Sequence, residues 1–285
     1  MKFPIQYTNG DCKVVLQSDG TRTVQGNYLN YPLNLDIRIS TQCSFGQKPN
    51  GRFGLCPFCH ESAKVEGEFC NFENLKKVLE PLPPIELAIG CNQFTLDFID
   101  FLDWAKNKFI CNLTINSGHL VRDRIAIDMC QAKGLVHGLG VSYRKGIEIP
   151  SWFLDNPNTV VHVIAGIDDF DTIKNLNFPK VLVLGCKDFG FNLGKVDLER
   201  VRIWKNRIYE LIESRHVCFD NLAVDQLNIK RFFTDESWSK FYQHEFSFYI
   251  NAVTETFSPS SRHPEIVSWK ETNVKDYFQK TQEIK

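Results

Sequence analysis

Between Leu35 and Ser62 the sequence runs LDIRISTQCSFGQKPNGRFGLCPFCHES, an apolar run that passes directly into a loop carrying Cys43, Cys56 and Cys59. Leu35–Ser40 (LDIRIS) has the branched, alternating character of a strand, and the Gly, Pro and Asn residues that follow free the backbone to wrap around a ligand. The cysteines are spaced Cys-x12-Cys-x2-Cys. Thiolates are soft ligands suited to iron–sulfur clusters and zinc, and three in one loop leave one metal corner open to a non-protein ligand.

Outward from this loop, short apolar runs alternate with helical patterns to about residue 190. Further strands are expected at Ile85–Gly90, Ile110–Ile115, Val136–Ser142, Val160–Ile167 and Val181–Gly185, with helices over Phe72–Leu82, Thr95–Phe109, Val121–Lys133 and Asp169–Leu176. Asp169 or Asp171 is placed to cap the last of these. Parallel strands joined by right-handed helical crossovers are the economical topology, so the expected fold is α/β, a partial (β/α)6 TIM-like barrel. Residues 1–32 form an N-terminal extension, 33–194 the barrel, and 195–285 an α-rich C-terminal extension packing on it. In the last, Leu198–Arg215 reads as one amphipathic helix. Ser247–Ser258 fits a strand or a short helix, and Thr256–Pro264 is a loop that could face a substrate. In such architectures the site is built by loops at the carboxyl ends of the strands.

Composition narrows the function classes. The 285 residues are 43% hydrophobic and 24% charged, with a formal net charge of −1, so no general attraction to nucleic acid or anionic lipid is indicated. No stretch approaches the length of a membrane span, and polar residues and Pro4 interrupt the N-terminus before any apolar run of signal-peptide length. The expected location is cytoplasmic. There the ten cysteines stay reduced, and clustered ones more often bind metal or do chemistry.

With CPFC in the loop after the first strand of a βα series, the chain resembles the radical S-adenosylmethionine (SAM) superfamily. The usual motif of that superfamily is Cys-x3-Cys-x-aromatic-Cys; here the aromatic is Phe58, and the twelve-residue gap is the departure. Certain 7-carboxy-7-deazaguanine synthases look similar in having an expanded gap. The resemblance covers roughly residues 33–190. It implies that Cys43, Cys56 and Cys59 bind three irons of a 4Fe-4S cluster whose fourth iron is chelated by SAM. An electron from the cluster then cleaves SAM, and the resulting 5'-deoxyadenosyl radical abstracts hydrogen from a substrate. It further implies SAM contacts at Gly90, Cys91 and Asn92 after the second strand, Asn116 after the third, Ser142 and Arg144 after the fourth, Gly166 after the fifth and Gly185 after the sixth. A reducing partner, flavodoxin or ferredoxin, is expected on the same ground.

Other readings of the same residues stand beside this one. CPFC resembles a glutaredoxin motif, but a glycine-rich loop rather than a buried strand precedes it; CPFCH matches a haem attachment sequence that needs export. A zinc-stabilised, non-catalytic binding protein is the main alternative, with His60, Cys43 or Cys70 completing a site at Cys56 and Cys59. The scattered Cys12, Cys91, Cys111, Cys130, Cys186 and Cys218 are expected to pack as small hydrophobes, Cys91 and Cys186 being the best exceptions. His137 and His162 are candidates for the barrel interior.

Overall fold

The computed structural model describes residues 4–18, 22–54, 56–241, 247–261, 263 and 265–283. It opens with an antiparallel meander of β1 (Ile5–Asn9), β2 (Cys12–Leu16) and β3 (Arg22–Gln25), which the sequence reading did not identify. The expected strands follow: β4 (Asn34–Arg38), then, after β5 (Gln42–Gln47) in the cysteine loop, β6 (Glu86–Cys91), β7 (Ile110–Asn116), β8 (Gly138–Ser142), β9 (Thr159–Ile164) and β10 (Lys180–Leu184). All six expected strands form, and each is a parallel neighbour of the next.

Helices lie between them at α1 (Phe72–Leu79), α2 (Leu96–Ala105), α3 (Ser117–Leu120), α4 (Arg124–Ala132), α5 (Ser151–Leu154) and α6 (Phe170–Asn175). Four of the six starts are set by side-chain caps. Asn71, Thr95, Asn116 and Asp169 each accept a hydrogen bond from a first-turn N–H, satisfying donors that the helix itself leaves unpaired; Asp169, not Asp171, is the cap of α6.

The region after residue 194 departs from expectation. Leu198–Arg215 divides into α7 (Leu198–Arg207) and α8 (Tyr209–Ile212), followed by strand β11 (His216–Phe219) and α9 (Asn221–Gln226). After α10 (Asp235–Phe241) come β12 (Ser247–Asn251), β13 (Thr256–Ser258), β14 (Val267–Ser268) and α11 (Val274–Glu283). The segment is therefore not only α-rich. β11 joins β10 in parallel, and β12 returns to the far edge to pair in parallel with β4.

The result is a ten-stranded, mostly parallel sheet in the order β11-β10-β9-β8-β7-β6-β4-β12-β13-β14. Eight of its strands are parallel rather than the six expected, because two short strands of the C-terminal third complete the series. Among the described residues no ladder joins β11 to β12, so hydrogen bonding does not close the sheet on itself.

Alternation gives the sheet two unlike faces. Leu35, Ile37, Leu87, Ile89, Leu113, Ile115, Val161 and Val163 are buried in the core beneath the helices. The other face carries Asp36, Arg38, Gly90, Asn112, Thr114, Ser142 and His162, none fully buried. Among the described residues no helix is long and apolar enough to cross a membrane.

Candidate functional site

The long gap between Cys43 and Cys56 is a hairpin-like excursion. β5 runs outward, Gly51 N–H closes a turn on Lys48 O (2.9 Å), and the returning strand pairs Phe53 against Gln47. Gly54 N–H then donates to Gly46 O (3.1 Å) and Cys56 N–H to Phe45 O (3.4 Å), which brings Cys56 back to within two residues of Cys43 across the twelve that separate them. The chains approach so closely that a Cβ on Gly46 would sit 2.3 Å from Ala63 O, and one on Gly54 2.7 Å from Phe45 O. Pro57 follows in a tight turn closed by Cys59 N–H on Cys56 O (3.2 Å), the position where its fixed φ is favoured.

Donors surround the three sulfurs. Arg144 Nε donates to Cys56 Sγ (3.2 Å) and Asn116 Nδ2 approaches the same atom (3.5 Å). Burial pushes the Cys43 and Cys59 thiols up; opposing this, backbone N–H groups of Phe45 and Gly46 face Cys43, and those of Ala63 and Glu61 face Cys59. Each of these two thiols also senses the charge of Cys56, so the three share one environment. They do not stand drawn together as a finished coordination sphere: among the described residues no group of three or more Cys, His, Asp or Glu converges to hold a metal ion.

The residues after β7 belong to the same site. Ser44 Oγ lies 2.6 Å from His119 Nε2, and the His119 ring stacks on Phe45. Burial lowers His119 to about 4, leaving it neutral. Its Nδ1 and the Ser117 hydroxyl are buried without partners among the described residues, a costly state that a bound group or ordered water would relieve.

The other expected contacts are distributed as follows. Gly90 lies on the polar face with open space where a Cβ would be, whereas Cys91 is buried in the opposite, apolar face, where burial raises its thiol. Asn92 Nδ2 ties the strand end to Gln42 O (3.0 Å), next to Cys43. Ser142 is half-buried beside His162 in register. Arg144 lies with its guanidinium 5.0 Å from the Phe58 ring centroid. Gly166 and Gly185 have packing reasons of their own: Cβ atoms there would meet Val201 at 2.7 Å and Leu222 at 2.3 Å, and the Gly185 N–H is taken by Asp220 Oδ1 (2.9 Å).

His162 lies on the polar face, lowered to about 4 by burial with Arg144 adding to the effect. His137 precedes β8, at the amino ends of the strands and away from the cysteine loop. Near Arg144, Asp168 is 7% exposed and raised to about 6 by burial, against the opposing effects of the Ile164 N–H, Arg144 and Arg200.

A polar network that the sequence did not reveal fastens the cysteine loop. Glu61 accepts from Arg38 Nη1 (3.0 Å) and Tyr249 OH (3.0 Å), and His60 Nε2 stands 3.1 Å from its other oxygen. Arg38 Nη2 also donates to Glu61 O (2.6 Å). Burial disfavours the Glu61 anion, but these partners outweigh it and hold its carboxyl at about 2. His60 is itself pushed down by burial, so Arg38 is the effective counter-charge. Lys187, after β10, reaches His60 Nε2 (3.3 Å) and Ser261 Oγ (3.0 Å). It also lines a small cavity with Phe58, Ile164, Leu184 and Asp220. Residues distant in sequence carry this network, so no local spacing announces it.

With the geometry in place, comparison with known proteins adds no assignment: no protein-family model matches the chain, and no curated protein matches it.

Proposed function

We propose that the protein is a radical SAM enzyme in which Cys43, Cys56 and Cys59 hold a 4Fe-4S cluster. The observation that carries this is one loop that brings three thiols into a shared environment with N–H donors aimed at them and, among the described residues, no fourth protein ligand converging on them. His60 is engaged with Glu61 and Lys187, and Cys70 is buried in the apolar core, its thiol raised to about 12 by burial. A structural zinc site asks for four protein ligands, whereas a cluster with one open corner asks for three. N–H groups directed at sulfur stabilise the charged form of a cluster ligand.

The finer fold proposed is an open TIM-like barrel with the polar face inward. β4 and β10 are five strand steps apart, about 24 Å in a flat sheet. Yet Asp36 of β4 senses the charges of Lys187 and Asp220, and Tyr249 of β12 joins Glu61 in the same network. Curling of the sheet accounts for both.

When bound, the cluster and SAM would supply the electron transfer and the 5'-deoxyadenosyl radical. The chain's own contributions are distinct. Arg144 places a positive charge on Cys56 and covers Phe58, offsetting the negative charge that three thiolates bring. Asn116 fixes the end of β7 against the same sulfur. The open position over Gly90 leaves room for a ligand to approach the backbone, and the inward polar face supplies a shielded volume for the substrate. Reduction calls for flavodoxin or ferredoxin as partner.

The test is anaerobic reconstitution with iron and sulfide, followed by SAM and dithionite. A brown protein that forms 5'-deoxyadenosine is expected. Replacing Cys43, Cys56 or Cys59 by Ala abolishes cluster assembly, while Cys111→Ala and Cys130→Ala leave it intact. A colourless protein with stoichiometric zinc, or a cluster retained without Cys43, would overturn the reading.

A further inference from the structure

Asp36 lies at the centre of β4, opposite Tyr249 of β12 and Ala88 of β6 in register. Its strand neighbours Leu35 and Ile37 are buried in the apolar layer, so its carboxylate stands on the polar face. There it is reachable by water yet walled by protein closely enough that burial raises its pKa to about 6. Both statements hold for a group inside a wet, enclosed volume. Asp36 makes no hydrogen bond or ion pair among the described residues.

Lys187 is the opposite charge that Asp36 senses, against the like charges of Asp220 and Glu61. It connects to the same face through His60, Glu61 and Tyr249, each link between 3.0 and 3.3 Å. Its ammonium touches no carboxylate among the described residues. Among the described residues Lys187 meets only His60 Nε2 and Ser261 Oγ, so at least one of its three N–H groups has no partner there. Ser261, from the Thr256–Pro264 loop that could face a substrate, accepts a hydrogen bond from Lys187. On the inward-facing sheet proposed above, these two charges of opposite sign face one interior, with no contact between them among the described residues.

We propose that Asp36 and Lys187 are the two poles of a binding site for a small zwitterion of the free amino-acid class, its ammonium held by Asp36 and its carboxylate by Lys187. The proposal deepens the enzyme reading by naming the substrate class, and it rests on the inward-facing sheet. An occupant of one sign alone satisfies one pole and leaves the other unpaired, and sites built around such groups discriminate strongly against ligands that lack the partner.

The probes are the twenty protein amino acids, each at millimolar concentration, in thermal-shift and saturation-transfer measurements on the full chain, with and without reconstituted iron. At least one is expected to bind. Its N-acetyl and methyl-ester derivatives, which each remove one charge, should bind at least tenfold more weakly. Asp36→Asn should weaken the parent amino acid but no longer distinguish it from the N-acetyl form, and Lys187→Met should likewise no longer distinguish it from the ester. Circular dichroism confirms folding of both variants, and Lys187→Arg, which keeps the charge, retains binding. Failure of all twenty to bind, or binding indifferent to both derivatives and both variants, overturns the proposal. Binding is measured without SAM turnover. A brown, 5'-deoxyadenosine-forming protein that ignores amino acids refutes this site alone, and a colourless one that binds them refutes the radical reading alone.

Discussion

Replacing Asp168 by Asn separates the cost of a buried charge from the contacts of the residue that bears it. Asp168 Oδ2 accepts the Ile164 N–H at 2.7 Å, a role that the amide oxygen of Asn retains. What is removed is a carboxylate whose pKa rises from 3.8 in the unfolded reference to about 6, chiefly through burial. The folded chain therefore binds that proton more tightly than the unfolded one. The associated stability is fully present below pH 3.8 and is lost as pH rises through about 6. A tenfold change in proton affinity is about 1.4 kcal/mol, so the ionised carboxylate costs about 3 kcal/mol at pH 8 and nothing at pH 3.5. In a chain of this length that corresponds to roughly 6 °C. Thermal melts of the wild type and Asp168→Asn, taken from pH 3.5 to pH 8, should coincide at the acid end and separate through pH 4–6, with the variant melting higher. A variant that melts lower at pH 8, or a difference independent of pH, would refute the electrostatic account. Persistence of so costly a charge beside Arg144 is the pattern of a group kept for function rather than stability.

Two further perturbations probe the site. Gly185→Ala drives a Cβ to 2.3 Å from Leu222 and should cost about 1–3 kcal/mol through overpacking; Gly90→Ala enters open space and should leave the denaturation midpoint within about 0.5 kcal/mol of wild type. Glu61→Ala strips Arg38, His60 and Tyr249 of their shared partner, with an expected loss of about 2–4 kcal/mol, faster proteolysis of the cysteine loop and lower iron content after reconstitution.

The central β/α series was legible because a parallel strand buried on one face under helices must be a branched apolar run, and most of its helices begin at a side-chain cap. Ile110–Asn116 and the helix starts at Thr95 and Asp169 follow directly from those requirements. His216–Phe219 carried no comparable signal: four residues containing His and Cys become a strand because β10 offers an edge to pair with. Ser247–Asn251 was ambiguous until pairing with β4 resolved it. In the candidate site, the cysteine loop and Arg144 were singled out from motif and position, although Arg144 was expected at SAM and its contact with Cys56 Sγ was not foreseen. Glu61 and Lys187 were not, since their roles depend on contacts with Arg38, Tyr249 and Ser261 that no local pattern encodes. Gly166 and Gly185 illustrate the converse, glycines at the expected strand ends whose backbone is pressed against Val201 and Leu222.

The excursion between Cys43 and Cys56 makes the length of that gap a matter of parity rather than of reach. Because its two arms are paired, a residue added to each arm lengthens the loop and leaves the Cys56 N–H on Phe45 O. Closing a somewhat longer loop costs only a fraction of a kcal/mol. A single added residue instead turns every following side chain of the returning arm to the other face, carrying the Cys56 sulfur away from Arg144 and Asn116. The spacing of such a motif can therefore drift in steps of two while the three thiols keep their places, and a search that fixes the gap at one value will overlook chains built on the same plan.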